Sequence, residues 1–264
     1  MKNFLVIGNP IKHSLSPKLH NYWLKKNNLN GIYNKKMLNV EDISEVILGV
    51  KNDQIHGINV TVPFKRKVIP FLDKLSFEAE QSQSVNTIYK ENDKIIGHNT
   101  DIAGFELAIR HIKYDLKDKK VFILGAGGVV SSIVLALIKM NVYKIYISNR
   151  TKEKALNLKK YFKNLEIIDW GIITDFDMII NATSLGLNKE EEIKIDYKNI
   201  GSNKFFYDVI YNPKQTIFLK NAKKFGNKIE NGKMMFIYQA HQSFTIWNKI
   251  MPKIDEETIK LLDQ

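Results

Sequence analysis

Four short segments in the first hundred residues gather small hydroxyls and amides around isolated ionisable groups. They are Ser14-Leu-Ser16-Pro17, Asn59-Val-Thr61-Val-Pro63-Phe-Lys65, Val85-Asn86-Thr87 and Asn99-Thr100-Asp101-x-x-Gly104. Hydroxyls and amides both donate and accept hydrogen bonds, so this inventory matches a small polyhydroxylated ligand with a carboxylate. Taken singly, Ser16 reads better as a helix cap and Asn59 as a turn residue. Four such clusters close together point to a site.

A second group follows. Gly125-Ala126-Gly127-Gly128 stands between an apolar strand-like run and an apolar helix. In that context glycines let the backbone approach a pyrophosphate, and the helix N-terminus meets it with free N–H groups. A plain tight turn is the alternative. About 20 residues on, where an NAD site places a carboxylate for the ribose, the chain has Ser148-Asn149-Arg150-Thr151, with Lys154 one turn further. No acid stands there, and a guanidinium can pair bidentately with a 2′-phosphate and stack on adenine. The pattern points to NADP. The third small position of the usual glycine pattern holds the bulkier Val130. A polar turn, Asn181-Ala-Thr183-Ser-Leu-Gly186, ends a later strand, at the sheet edge where ligands bind in such folds.

The elements that must hold these residues alternate. Strands are expected at 4–8, 32–38 and 57–62, with a hairpin of 85–89 and 94–98 around Glu91-Asn92-Asp93. Helices are expected at 17–26, with Ser16 as cap and Pro17 at the first helical position, at 40–50 and at 101–112. Beyond 119 come strands ending at 124, 148, 168, 181 and 209. Helices run from the glycine turn through 140 and over 152–162. Two helices, 234–249 and 254–262 with Asp255 as cap, close the chain. Such alternation implies an α/β fold with a parallel sheet covered on both faces.

Composition narrows the classes. The 264 residues include no cysteine, which excludes disulfides, thiolate metal sites and a cysteine nucleophile. The six histidines are scattered without ligand spacing, so no metal is expected. Apolar runs fall short of the ~20 residues of a membrane span. The apolar start before Gly8 is too short for a secretory signal, so a cytoplasmic protein is expected. The net charge is +12, but only three of 40 basic residues are Arg (Arg66, Arg110 and Arg150), beside 26 Asn. That usage reads as a lysine-coated surface reflecting coding bias. The lysines do not cluster as a nucleic-acid footprint would. An Arg in so Arg-poor a chain draws attention to position 150.

The whole chain resembles the shikimate dehydrogenase family, whose blocks it carries in order. These are Ser-Leu-Ser-Pro, Asn-Val-Thr-x-Pro-x-Lys, Asn-Thr-Asp, Gly-Ala-Gly-Gly, Asn-Arg-Thr and Asn-Ala-Thr-Ser-x-Gly. Asp208-x-x-Tyr211-x-Pro213 and Gln239-Ala240-x-x-x-Phe244 follow. The resemblance implies a substrate-binding α/β domain (1–103 plus 236–264) and a Rossmann NADP-binding domain (104–235). It implies reversible NADPH-dependent reduction of 3-dehydroshikimate to shikimate. Carried over residue by residue, it makes Lys65 and Asp101 the catalytic pair. Ser14 and Ser16 become ligands of the substrate carboxylate. Thr61, Asn86, Asp101 and Gln239 partner the ring hydroxyls, with Asn59 in support and Tyr211 lining the site. The cofactor set is Gly125, Ala126, Gly127, Gly128, Asn149, Arg150, Thr151 and Lys154, with Thr183 and Gly232 near the nicotinamide. Departures from the family pattern are Val130, Ser84, His98 and Ile102, the last standing where Gly is common and where it alters the wall of the cleft.

In the reaction so implied, negative charge develops on the carbonyl oxygen, and a donor must stabilise it and supply a proton. Lys65 is the expected donor, coupled to Asp101. A cleft that closes about 101–112 and the helix from Met234 is expected. The partners expected are the small-molecule substrate and no nucleic acid or membrane, in a monomer or homodimer. Three rivals remain: a quinate/shikimate dehydrogenase of relaxed substrate or cofactor use, a non-catalytic shikimate-binding regulator, and a nucleic-acid-binding protein.

Overall fold

The computed structural model describes residues 1–188 and 191–263. It divides into two compact units, Met1–Gly104 with the chain from Ile237 onward, and Phe105–Phe236. The first unit contains β1 (Lys2–Gly8), α1 (Ser16–Lys26), β2 (Gly31–Met37), α2 (Ile43–Lys51) and β3 (Gly57–Val60). It continues through β4 (Lys74–Leu75), α3 (Phe77–Ser82), β5 (Thr87–Glu91) and β6 (Lys94–His98). Its sheet runs β2-β1-β3-β5-β6-β4, parallel across β2, β1 and β3 and antiparallel across β3, β5 and β6. Phe4, Leu5, Val6 and Ile7 of β1 are all buried, as a strand covered on both faces requires. In α2, Ile43, Val46, Ile47 and Val50 recur at helical spacing and pack with Ile58, Val60 and Ile88.

α4 (Asp101–His111) leads into the second unit, which runs β7 (Lys120–Leu124), α5 (Val130–Lys139), β8 (Lys144–Ser148), α6 (Lys152–Tyr161) and β9 (Leu165–Ile167). Then come β10 (Met178–Asn181), α7 (Tyr197–Ile200), β11 (Phe205–Asp208), α8 (Ile217–Lys224) and β12 (Lys228–Asn231). All strand pairs are parallel, in the order β9-β8-β7-β10-β11-β12. The strand order reverses between β7 and β10, the topological switch point where doubly wound sheets bind ligands. Val130 is fully buried on α5, so the bulk at the third small position has been absorbed into the packing. Lys233–Asn248 (α9) and Glu256–Leu261 (α10) complete the chain, α10 capped by Asp255 through Thr258 N–H. Among the described residues no helix is long and apolar enough to cross a membrane.

Several local expectations need correction. Ser16 is not the cap of α1 but lies in its first turn; Leu15 holds the cap position, and Ser14 Oγ accepts the Ser16 N–H at 3.3 Å. The segment from Val40 opens as a 3-10 turn closed by an Asn39–Asp42 capping box, so α2 begins only at Ile43. β3 stops at Val60 because Thr61 enters a turn, its carbonyl accepting the Phe64 N–H. β5 begins at Thr87, two residues later than expected.

Candidate active site

The first unit concentrates its polar side chains where β3, β5, α4 and α9 come together. Lys65 lies in the turn after β3, its backbone carbonyl accepting the Val85 N–H at 2.8 Å, with Phe64 and Val68 buried on either side. Its side chain is only 9% exposed, and Nζ donates to Asp101 Oδ2 at 2.5 Å. Asp101 is the first residue of α4, where the positive end of the helix dipole favours a carboxylate. Its other oxygen, Oδ1, accepts from Asn86 Nδ2 at 2.9 Å. The Lys65–Asp101 pair is therefore buried, short and hydrogen-bonded on both carboxylate oxygens, the condition under which a buried ion pair is tolerable.

Asn86 is the hub. Its Nδ2 also reaches Thr100 Oγ1 at 2.9 Å and Gln239 Oε1, on α9, at 3.4 Å. Its Oδ1 accepts from the Thr100 N–H at 2.7 Å and from Thr87 Oγ1 at 3.1 Å. Asn59, opposite Thr87 in the β3–β5 register, donates to Asn86 O at 3.1 Å and Thr87 Oγ1 at 3.3 Å. Both amide hydrogens of Asn59 are thereby committed within the protein. Its Oδ1 accepts from the Tyr33 hydroxyl at 2.7 Å. Asn99, fully buried, caps α4: Oδ1 accepts the N–H groups of Asp101 and Ile102, and Nδ2 donates to Ser84 O and Ser82 Oγ.

The structure thus joins Lys65, Asp101, Asn86, Asn59 and Gln239 in one hydrogen-bonded network. Ser14 and Ser16 form a separate pair at the start of α1, their hydroxyls 3.2 Å apart. Thr61 is half-buried, with no described side-chain partner. Of the departures, Ile102 is buried and 1% exposed, so its side chain belongs to the core rather than to an open wall. His98 stands 3.8 Å from Glu78, and burial holds its imidazole below the usual value. Tyr33, Thr87, Thr100 and Asn99 also join this network; the last three lie within the polar segments of the sequence, whereas Tyr33 lies in none of them.

In the second unit the glycine turn follows β7. Gly125 has φ +110°, and a Cβ there would lie 2.7 Å from Ala182 O, so glycine is required where the turn meets the end of β10. The Ala126 N–H is taken by Asn149 Oδ1 at 3.0 Å. The N–H groups of Gly127 and Val129 have no partner among the described residues, leaving them to an anion at the head of α5. Asn149 Nδ2 donates to Thr151 O, which fixes the loop that presents Arg150. Arg150 and Lys154 are exposed, and neither side chain makes a hydrogen bond or ion pair with the described residues. Thr183 donates to Asn181 Oδ1 through both its N–H (3.0 Å) and its hydroxyl (2.7 Å). Gly232 passes so close to Val209 that a Cβ would collide with its carbonyl oxygen. Tyr211 stacks on Phe236 with ring centroids 4.5 Å apart.

Below Asn181 lies Asp208, fully buried, accepting from Asn181 Nδ2, Ile210 N–H and Thr216 Oγ1. Burial pushes its carboxyl up to about 6 even though these three bonds favour the charged form.

Two family models match in tandem, the shikimate dehydrogenase substrate binding domain over residues 6–88 and shikimate / quinate 5-dehydrogenase over residues 106–214. A shikimate dehydrogenase (NADP(+)) of Pelagibacter ubique is 62% identical over 262 residues, covering 99% of each chain. The chain belongs to the shikimate dehydrogenase family. The likeness extends to solved family structures. A shikimate dehydrogenase from Aquifex aeolicus superposes with TM-score 0.91 at 35% identity, over 100% of this chain and 98% of that one. One from Thermus thermophilus, in complex with NADP(H) and shikimate, superposes with TM-score 0.89 at 29% identity, over 100% and 99%. Both units therefore have the family fold, an α/β substrate-binding domain and a Rossmann domain.

Proposed function

We propose that the chain catalyses the reversible, NADP-dependent interconversion of 3-dehydroshikimate and shikimate, with Lys65 and Asp101 as its catalytic pair. One observation carries the reading: the buried Lys65 Nζ–Asp101 Oδ2 contact of 2.5 Å, held by Asn86, in a chain of this family. Lys65 is a surface residue by type, and its burial beside an equally buried carboxylate has no use in packing alone. The dinucleotide groups fit the chain's own residues. The Gly125 turn is open only because it lacks a Cβ, and among the described residues the Gly127 and Val129 N–H groups and the Arg150 guanidinium have no partner. NADPH, when bound, supplies a hydride.

The protein's own residues do the rest. A carbonyl oxygen that gains charge needs a donor, and Lys65 Nζ carries protons that can both stabilise and neutralise it. In the opposite direction the same nitrogen receives the proton of the hydroxyl. Asp101 keeps Nζ in place through Oδ2, while Asn86 stops the carboxylate from rotating by holding Oδ1. Ser14 and Ser16, paired at the start of α1, offer hydroxyls that suit the carboxylate of the ring. Thr61, Asn86 and Gln239 offer the amide and hydroxyl groups that ring hydroxyls need. Asn149, Arg150, Thr151 and Lys154 would hold the adenosine phosphate, and Thr183, Gly232 and Tyr211 complete the set. Such an enzyme works beside its nicotinamide pool, in the cytoplasm.

The test is absorbance at 340 nm with shikimate or quinate paired in turn with NADP or NAD. Shikimate with NADP is expected to give the highest kcat/KM. A higher value for quinate, or for NAD, would replace this reading with the relaxed-specificity one. No NADPH formation with either acid would overturn it.

A further inference from the structure

Tyr33 lies on β2 and is absent from every motif of the site, yet its hydroxyl ends in the catalytic network. We propose that Tyr33 is a positioning residue for the Lys65–Asp101 pair, acting through the amide of Asn59. The inference rests on the dehydrogenase reading given above.

The contacts run in one direction. The Tyr33 hydroxyl donates to Asn59 Oδ1 at 2.7 Å, and both groups are buried. An amide has an oxygen end and a nitrogen end of nearly equal shape, so a partner must decide which way it points. A donor at Oδ1 reinforces the orientation that turns Nδ2 toward Asn86 O and Thr87 Oγ1. Flipping the amide would set two oxygens against each other at Asn86 O. Thr87 Oγ1 in turn donates to Asn86 Oδ1, and Asn86 Nδ2 holds Asp101 Oδ1. The orientation set at Tyr33 is thereby passed to the carboxylate that holds Lys65. Asn59, with both amide hydrogens spent on the protein, serves the site as part of this chain.

The Tyr33 ring is itself fixed. It stacks on His20 of α1, centroids 4.2 Å apart and planes within 10°, and Trp247 of α9 tilts against it at 6.2 Å. His20 is fully buried, neither ring nitrogen has a partner among the described residues, and burial pushes its imidazole down to about 3. It is a neutral aromatic plate among Trp23, Phe244 and Trp247. Aromatic packing therefore sets where the ring lies, and the ring sets where the hydroxyl points.

Tyr33→Phe keeps the ring and removes the donor. With saturating shikimate and NADP, kcat is expected to fall about tenfold, equivalent to roughly 1.4 kcal/mol of lost transition-state stabilisation, with both KM values within about twofold of wild type. In a cycle with Asn59→Ala the two losses should not add, because they break the same chain. Tyr207→Phe is the control: that buried hydroxyl has no partner among the described residues, and its removal should leave kcat unchanged. In the ligand-free protein, the side-chain amide resonances of Asn59 and Asn86 should shift in Tyr33→Phe, a readout that does not depend on turnover. Unchanged amide resonances overturn the proposal whether or not the enzyme uses shikimate. So does an unchanged kcat, an additive cycle, or a loss confined to KM. Absence of wild-type turnover with shikimate would count against the dehydrogenase reading, and the resonances would still decide the relay.

Discussion

Removing the side chain of Asn99 should damage stability and catalysis together, because one amide caps α4 and ties it to the segment before β5. Asn99→Ala deletes the acceptor for the N–H groups of Asp101 and Ile102, at 3.0 and 3.2 Å, in a place closed to water. Loss of such a cap costs about 1 kcal/mol, within a range of roughly 0.5–2. The bonds to Ser84 O at 2.8 Å and Ser82 Oγ at 3.0 Å go as well. Ser82 Oγ still donates to Glu78 O and Ser84 O still accepts from Ser82, so neither is fully orphaned. Two buried donors at the helix start are. Unsatisfied buried groups cost about 1–3 kcal/mol each, so the two together cost about 2–6 kcal/mol. Asn99→Ser retains a capping oxygen and should recover about 1 kcal/mol of this. Urea unfolding followed by tryptophan fluorescence is the assay, since Trp23 and Trp247 are buried in the first unit while Trp170 is 37% exposed in the second. In the same variant kcat should fall with the KM for NADPH unchanged, because Asp101 loses the helix start that places it. Stability within about 0.5 kcal/mol of wild type would refute the capping argument.

Arg150→Ala should raise the KM for NADPH roughly 10–100-fold, the worth of a charge-assisted bond of about 1.5–3 kcal/mol, and leave the KM for NADH nearly unchanged in initial-rate measurements; equal effects on both would remove the 2′-phosphate from Arg150. Asp208 gives a signed pH dependence. Its carboxyl is raised to about 6 in the fold against an ordinary value of 3.8, so the folded state binds the proton more tightly and this group's stabilising contribution is lost as pH rises from about 4 through 6. Asp208→Asn, with the Thr216 hydroxyl turned to accept, should therefore gain stability relative to wild type between pH 4.5 and 7 in urea unfolding; a constant difference between the two proteins across that range contradicts the assignment.

Much of this architecture is legible in the sequence where apolar periodicity is strong. β1, β7, β8 and β10 stand out as apolar runs, and the glycine turn with Asn149-Arg150-Thr151 locates the switch point of the second sheet. The elements that escape are those whose pattern carries little apolar signal. β12, Lys-Ile-Glu-Asn, is an edge strand with one apolar residue; α8 is amphipathic, but at eight residues it is short. β4 has only two residues, and α3 is a six-residue helix stopped by Gln83 in a left-handed conformation. In the site, Lys65, Asp101 and Asn86 belong to short motifs and can be named from them. Tyr33 cannot, because its bond to Asn59 spans 26 positions and depends on the β2-β1-β3 order. Nor can the burial of His20, a polar residue held by rings from β2, α1 and α9. Ser16 differs from its expected place as a cap because Ser14, two residues earlier, offers the oxygen that accepts its N–H.

The catalytic role of Lys65 is tested most directly by comparing wild type with Lys65→Ala for NADPH formation from shikimate, with NADPH binding measured in parallel by fluorescence. A general acid–base group contributes about 10²–10⁴-fold, so turnover should fall by that factor while the Kd for NADPH stays within about twofold. Wild-type turnover in the Lys65→Ala protein would contradict the account.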